Sequence, residues 1–214
     1  VNDASRYQPP DFDRPMVRVL EGVNRVFVHG FHRLRVHGRN PLPATGPAIL
    51  VCNHTSSLDP ALLQATTGRK IVWMMAREYL AIPVLSRIFA VLGVIGVDRG
   101  SRDSTSTRSA LRVLEAGGVL GVFPEGRIER TRELLPFHPG AATLAIRGRA
   151  TVVPAFIDGT QRRNTVASGW LVPHEAGVWF GDPLVLHEGT RRADPLEATA
   201  RVRAAVAALA ARRG

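Results

Sequence analysis

From Arg14 to about Leu34, apolar residues recur at helical spacing. Met16, Leu20, Val23, Phe27, Phe31 and Leu34 form one stripe on a wheel stepped at about 100° per residue. Arg14, Arg18, Arg25, His29 and His32 gather on the opposite side. The pattern predicts an amphipathic helix with a basic face. Such a helix either lies in a membrane interface, apolar side down with its arginines at lipid phosphates, or packs on a core and leaves the arginines in water. Ahead of it, residues 1–13 read as a lead-in. Val1–Phe12 is polar and proline-bearing and lacks the apolar core of a signal peptide.

Beyond a Pro/Gly-rich loop, Gly38–Pro47, short apolar runs alternate with helical patterns. Ala48–Cys52, Ile71–Ala76, Val94–Val97, Val119–Phe123 and Thr151–Ile157 read as strands. Val178–Leu186 reads as a further strand, broken by Gly181 and Pro183. Pro60–Thr66, most of Tyr79–Leu92, Asp103–Ala116, Gly140–Arg147 and Asp194–Arg213 read as helices. Ser104, Thr105 and Ser106 are capping candidates for the third of these. Asp194 and Pro195 supply the N-cap and first position of the last. The alternation predicts an α/β fold: a central mixed sheet flanked by helices, with the amphipathic helix at the N-terminal side. The chain divides into a lead-in plus helix, 1–37, and one domain, 38–214. Tyr79–Val97 comes nearest to a membrane span, and Pro83 and Arg87 interrupt it.

A length of 214 residues fits a single domain with a core of its own. The lone cysteine, Cys52, excludes a disulfide framework and any multi-cysteine metal site. Charge changes the picture more. Lys and Arg number 28 against 18 acidic residues, a net charge of +10, and Lys70 is the only lysine. Such a balance suits a polyanionic partner: nucleic acid, an anionic membrane surface or a phosphorylated substrate. Aromatic residues are only 6% and no basic-aromatic RNA-binding motif occurs, which argues against nucleic acid. No dinucleotide fingerprint, phosphate-binding P-loop, nucleophile elbow or H-E-x-x-H motif is found, and nothing calls for a metal or a bound cofactor.

Four segments carry candidate chemistry. In Val51–Pro60 a strand gives way to polar residues and then to a helix. His54 and Asp59 are five apart, about 140° on a continuous helix, so they meet only if Thr55–Leu58 turns. If it does, the carboxylate fixes one imidazole nitrogen and leaves the other as a general base. Otherwise Asp59 caps the helix and His54 is a loop histidine. In Val122–Arg127, backbone N–H groups around Gly126 and the forked guanidinium of Arg127 suit an anion, or else Glu125 and Arg127 are solvated turn residues. Gly93–Arg99 delivers Asp98 and Arg99 to a strand end, where Arg99 is a phosphate candidate or an ordinary exit residue. Val152–Ile157 is an apolar strand whose Pro154 suits an edge, a bulge or a wall beside a ligand.

Taken in order, these segments resemble the glycerolipid acyltransferase family that includes lysophosphatidate acyltransferases. Its N-H-x-x-x-x-D, G-x-x-x-x-x-R, F-P-E-G and V-P motifs stand here at Asn53–Asp59, Gly93–Arg99, Phe123–Gly126 and Val153-Pro154. The resemblance covers about Arg35 to Asp182. It implies acyl transfer from a thioester, acyl-CoA or acyl-carrier protein as co-substrate, to a hydroxyl of a lysophospholipid, with lysophosphatidate to phosphatidate the leading case. It implies His54 as general base and Asp59 as its orienting partner. Glu125, Gly126 and a following arginine, Arg127 or Arg130, would bind the acceptor, with Arg99 sharing the phosphate. The chain departs from the usual F-P-E-G-T-R-S, since Arg127 follows Gly126 directly and Ile128, Glu129 and Arg130 come next. That form is similar to acyltransferases of other lysophospholipids, so another lysolipid or a glycolipid acceptor stays open. A non-catalytic anion- or membrane-binding module is the rival class. Phe137–Ala141 also looks like the family's F-x-x-G-A stretch, with His138 structural. The expected location is peripheral, on the cytoplasmic face of the membrane.

Overall fold

The computed structural model describes residues 12, 14–81, 83–98, 103–129, 133–160, 170–187 and 193–213. Among them, seven strands form one sheet: β1 (Arg35–His37), β2 (Ala48–Cys52), β3 (Ile71–Ala76), β4 (Ile95–Val97), β5 (Val119–Val122), β6 (Thr151–Asp158) and β7 (Gly177–Phe180). Their order is β1-β7-β6-β2-β5-β3-β4. β6 and β7 pair antiparallel, and every other neighbouring pair is parallel. The sheet is therefore mixed, as the alternation predicts.

β2 lies at its centre and is apolar on both faces, as a strand covered from two sides must be. Leu50 and Cys52 pack into one helical layer, and Ile49 and Val51 into the other. The first layer holds α1 (Pro15–Val26) and α2 (Asp59–Ala65). The second holds α5 (Ser104–Glu115), α6 (Gly140–Arg147) and α7 (Pro195–Ala211). Between β3 and β4, Pro83 splits the helical stretch into α3 (Arg77–Leu80) and α4 (Pro83–Val91).

Several local expectations change. Asp103, not the Ser/Thr cluster after it, caps α5: its carboxylate accepts from Thr105 N and Ser106 N at 3.0 and 2.9 Å. Pro154 lies on an interior strand, between β2 and β7, not at an edge. The ladder opposite it is interrupted, which is how the sheet accommodates a residue without an N–H. β7 pairs up to Ala155–Phe180, and an isolated bridge follows at Val152–Leu184. Gly181–Pro183 fills the gap, with Gly181 N donating to Pro154 O at 2.9 Å.

The predicted amphipathic helix is present, but its end is a π-turn, Phe27–Phe31. A turn closed by i→i+5 bonds rotates less per residue than an α-helix, so the wheel drifts across it. His32, assigned above to the basic face, is consequently fully buried. Its ring stands edge-on to Phe27 and Phe31 and stacks on His174 at 5.5 Å. Burial, then His174, lowers its pKa to about 4, so at neutral pH it is an uncharged core group. The apolar stripe also divides: Leu34 is buried and Leu20 and Phe27 half-buried, whereas Phe31, Met16 and Val23 are 38, 56 and 62% exposed. Outside the predicted stripe, Val17 and Val28 are buried, and Val19 and Val26 are exposed. Polar contacts help to hold the inward side: Glu21 pairs with Lys70, and Asn24 Nδ2 donates to Ala61 O at 2.9 Å. β1 follows within the segment assigned to the lead-in and joins the sheet beside β7.

One glycine is fixed by its surroundings. Gly159, just past β6, has φ +92°, and an added Cβ would run into the carbonyl oxygen of Glu175. Gly159→Ala is expected to lower stability by about 2–4 kcal/mol through left-handed strain plus that clash. Chemical denaturation reads this directly, and an unchanged midpoint would contradict it.

Candidate functional site

β2 and β5 are adjacent and parallel, so the segments after them emerge at one end of the sheet. That is the carboxyl end, where open α/β sheets place ligands. His54 leaves β2 and Phe123 leaves β5. The two rings stack face to face, with centroids 4.1 Å apart and planes 14° from parallel. Trp73, from β3, stacks on the far face of this arrangement, 5.1 Å from Phe123.

The turn Thr55–Leu58 does fold back. His54 Nδ1 donates to Asp59 Oδ2 at 3.0 Å. Asp59 does not cap α2: Leu58 holds that position and Asp59 is the first helical residue. Its carboxylate instead faces the preceding turn, where Thr55 N and Ser56 N donate to Oδ2 at 2.7 and 2.8 Å. The hydroxyls of Thr55 and Thr160 lie 2.6 Å apart and within 3.4 and 3.2 Å of Oδ1. One therefore donates to the other, which donates to the carboxylate. Asp59 is fully buried, yet every partner is a donor, which is what an acceptor-only carboxylate needs. With Nδ1 committed, Nε2 is the imidazole nitrogen that can take a proton.

Asn53 anchors the His54 segment from the other side. Its amide copies a strand pairing: Nδ2 donates to Ile157 O at 2.9 Å, and Oδ1 accepts from Ile157 N at 2.8 Å. Glu129 N donates to the His54 carbonyl at 2.7 Å. The backbone of His54 is thus tied to β6 through its neighbour and to the segment after β5 directly. Asn53, Thr55, Thr160 and the stacking of Phe123 were not assigned roles from sequence. The position of Asn53 within its motif is the one sequence signal that could have found any of them.

The Phe123–Arg127 segment differs from expectation in two ways. The Gly126 N–H is not available to an anion, since it donates to Phe123 O at 3.1 Å and closes the turn. Gly126 adopts φ +68°, and a Cβ there would press on the His138 ring at 3.3 Å. Glu125 is no solvated turn residue: it is 4% exposed, and neither carboxylate oxygen has a hydrogen-bond partner. Its pKa is raised to about 8, by burial first and then by the charge of Glu129. Nearby backbone of His54 and Leu135 opposes that rise, and Asp59 adds to it. Arg127 is exposed beside the turn. Arg99 and Arg130 lie outside the described residues. His138 binds the turn through its backbone, its N–H donating to Pro124 O at 2.9 Å. Among the described residues, no three His, Cys, Asp or Glu side chains converge as metal ligands.

A buried carboxylate bonded to the Nδ1 edge of an imidazole, at the carboxyl end of a sheet, is an arrangement chemically able to accept a proton from a hydroxyl. The acyltransferase family model matches residues 33–158, more than half of the chain, and the chain belongs to that family. Relatives narrow the likeness to its glycerolipid branch. Over 127 residues the chain is 28% identical to the 1-acyl-sn-glycerol-3-phosphate acyltransferase of Bacillus subtilis, covering 59% of this chain and 63% of that protein. Over 130 residues it is 27% identical to the Borreliella burgdorferi enzyme of the same name, covering 60% and 52%. The chain thus spans about half to two thirds of the length of these curated relatives. The crystal structure of the 1-acyl-sn-glycerophosphate (LPA) acyltransferase PlsC from Thermotoga maritima superposes with a TM-score of 0.71, covering 92% of this chain and 83% of that one. At 22% identity, that match establishes the shared fold.

Proposed function

We propose that the protein transfers an acyl group from a thioester, acyl-CoA or acyl-carrier protein, to the free hydroxyl of a lysophospholipid, with lysophosphatidate as the leading acceptor. The observation that carries this reading is the 3.0 Å bond from His54 Nδ1 to a fully buried Asp59. His54 Nε2 takes the hydroxyl proton, and the oxygen attacks the thioester carbonyl carbon. The tetrahedral intermediate collapses with cleavage of the carbon–sulfur bond, and His54 returns the proton to the departing thiolate. No acyl-enzyme forms. Asp59 orients the ring and offsets the charge it gains; Phe123, stacked on its face, fixes its plane. Glu125, Gly126 and Arg127 bind the acceptor, with Arg99 and Arg130 as further phosphate ligands. Because Arg127 follows Gly126 directly, a lysolipid with another headgroup is the second reading. Thiol release from long-chain acyl-CoA, with and without lysophosphatidate, tests the first. Release that depends on another lysolipid alone would select the second.

The exposed apolar line Met16, Val19, Val23 and Val26 supports attachment to an anionic membrane surface. Phe31, Trp170 and Leu171 extend it, Trp170 stacking on Phe27 at 6.1 Å. The acceptor resides in the bilayer and the thioester donor in the cytoplasm, so the site works at the cytoplasmic face. No helix among the described residues is long and apolar enough to cross a membrane. Changing Arg18 and Arg25 to Glu is expected to weaken binding to anionic vesicles at least tenfold and to leave turnover of a soluble short-chain acceptor in place, since roughly 1 kcal/mol is lost per basic residue near such a surface. Vesicle co-sedimentation measures it, and undiminished binding would refute the membrane role of this helix.

A further inference from the structure

His54 is held by two kinds of contact, and they constrain different things. The Nδ1 bond to Asp59 fixes one corner of the ring. A hydrogen bond bends by about 30° at little cost, and the torsion that turns an imidazole on its Cβ is broad. The corner contact alone therefore lets the ring rock and leaves the direction of Nε2 undefined. Phe123, stacked on the ring at 4.1 Å, removes that freedom. Yet Phe123 is only half-buried and stands just past the last residue of β5, so it needs a backing of its own.

Trp73 supplies that backing. Its indole lies 11° from parallel to Phe123, with centroids 5.1 Å apart, and is 6% exposed. The row of rings crosses three neighbouring strands, from Trp73 on β3 over Phe123 after β5 to His54 after β2. Phe123 thus has a near-parallel ring on each side. The sequence makes room for this. Trp73 pairs with Gly121 in the last register position that β3 and β5 share. A Cβ on Gly121 would run into the Trp73 ring and Ile71 Cγ2. A glycine inside a strand often marks a close approach, and here it lets the indole lie over the β5 backbone.

We propose that Trp73 is a positioning residue for His54: seated on Gly121, it clamps Phe123 against the imidazole and so sets the direction in which Nε2 meets the hydroxyl. The placement of the ring stands on the stack alone, whereas its effect on rate rests on the acyl-transfer reading above. Neither Trp73 nor Gly121 belongs to the four motifs, so the aim of the base depends on residues outside them.

Two measurements on the full chain test this. The first, proton NMR of the histidine rings, needs no substrate. The chain has seven histidines, and the His54 signals are those that His54→Ala lacks. Lying over the face of Phe123, they should be shifted upfield. Trp73→Leu should move them downfield and broaden them, because Phe123 can then tip away. The indole is two stacking intervals from His54, so loss of its own ring current contributes little. The second is thiol release from long-chain acyl-CoA in the presence of lysophosphatidate. Trp73→Leu should lower kcat by about 10- to 100-fold, since a misplacement of about 1 Å costs on the order of 10²-fold. KM for both substrates should stay within about twofold, because the clamp acts on the base. Trp73→Phe keeps a ring behind Phe123 and should restore the upfield signals, with kcat within about threefold of wild type.

A tryptophan that only fills the core would lower the melting temperature in Trp73→Leu and leave the His54 signals and the kcat of the folded protein unchanged. That result overturns the proposal, as does a rise in KM with kcat intact. Signals that respond as expected, in a protein that releases no thiol with any lysolipid and either donor, uphold the clamp and overturn the acyl-transfer reading. Should Trp73→Leu fail to fold, Trp73→Met, apolar and more adaptable, carries the same expectations.

Discussion

Replacing His54 with alanine is expected to lower acceptor-dependent thiol release by about 10²–10⁴-fold, the usual contribution of a positioned general base. The effect should fall on kcat, since the imidazole acts on the proton in flight and not on acceptor binding. Stability should change little. The His54 side chain is already 17% exposed, and its removal deprives Asp59 of one donor among several. The comparison therefore separates chemistry from folding: parallel thermal melts should nearly coincide while rates differ by orders of magnitude. A His54→Ala protein that keeps more than a tenth of wild-type kcat would eliminate this histidine as the base.

Asp59 is expected to behave differently, because it serves both the base and the fold. Asp59→Ala leaves Thr55 N–H and Ser56 N–H pointing at an empty, fully buried site. An unsatisfied buried donor costs about 1–3 kcal/mol, so the pair should cost about 2–6 kcal/mol. In a domain of this size, that corresponds to a Tm fall of roughly 5–20 °C. Asp59→Asn keeps the volume and offers a carbonyl oxygen to the same donors, so its melt should lie much nearer wild type. Its turnover should nonetheless fall by about 10³–10⁴-fold, because an amide does not hold the imidazole in the tautomer that frees Nε2 for the proton, and gives no charge to offset an imidazolium. Loss of activity in both variants with loss of stability in only one is the signature expected. Equal melts for all three proteins would mean that the turn does not depend on this carboxylate.

Much of the architecture was legible because local signals agreed. Strands such as Ala48–Cys52 are continuous apolar runs closed by polar residues, and Pro83, Gly181 and Pro195 punctuate at the places observed. The Asn53–Asp59 and Phe123–Gly126 motifs stand at strand exits, where alternation alone would seek a site, whereas Val153-Pro154 lies within β6. What escaped was set by distance along the chain. β1 is three residues long and exposed throughout, so it carries no periodicity, and it exists only because Gly177–Trp179 lies beside it. The hydroxyl of Thr160 reaches Asp59 across 101 residues, and no window of sequence contains both. His32 was misplaced because a wheel of constant pitch cannot register a π-turn. The solvated-turn alternative for Glu125 fails because the residue is buried, which no local pattern in Val122–Arg127 signals.

The position of β2 has a consequence for the newly made chain. Its neighbours are β5 and β6, and Asn53 and Asp59 find their partners at Ile157 and Thr160. At about 5–20 residues per second, the ribosome needs roughly 5–20 s to go from Asp59 to Thr160. During that interval the central strand first lacks both of its neighbours and then, once β5 is made, still lacks β6, and its apolar faces are open to holdase chaperones. The line from Met16 to Val26 has left the exit tunnel well before then. On the membrane-attachment reading proposed above, a growing polypeptide would meet a lipid surface while the His54–Asp59 site is still incomplete.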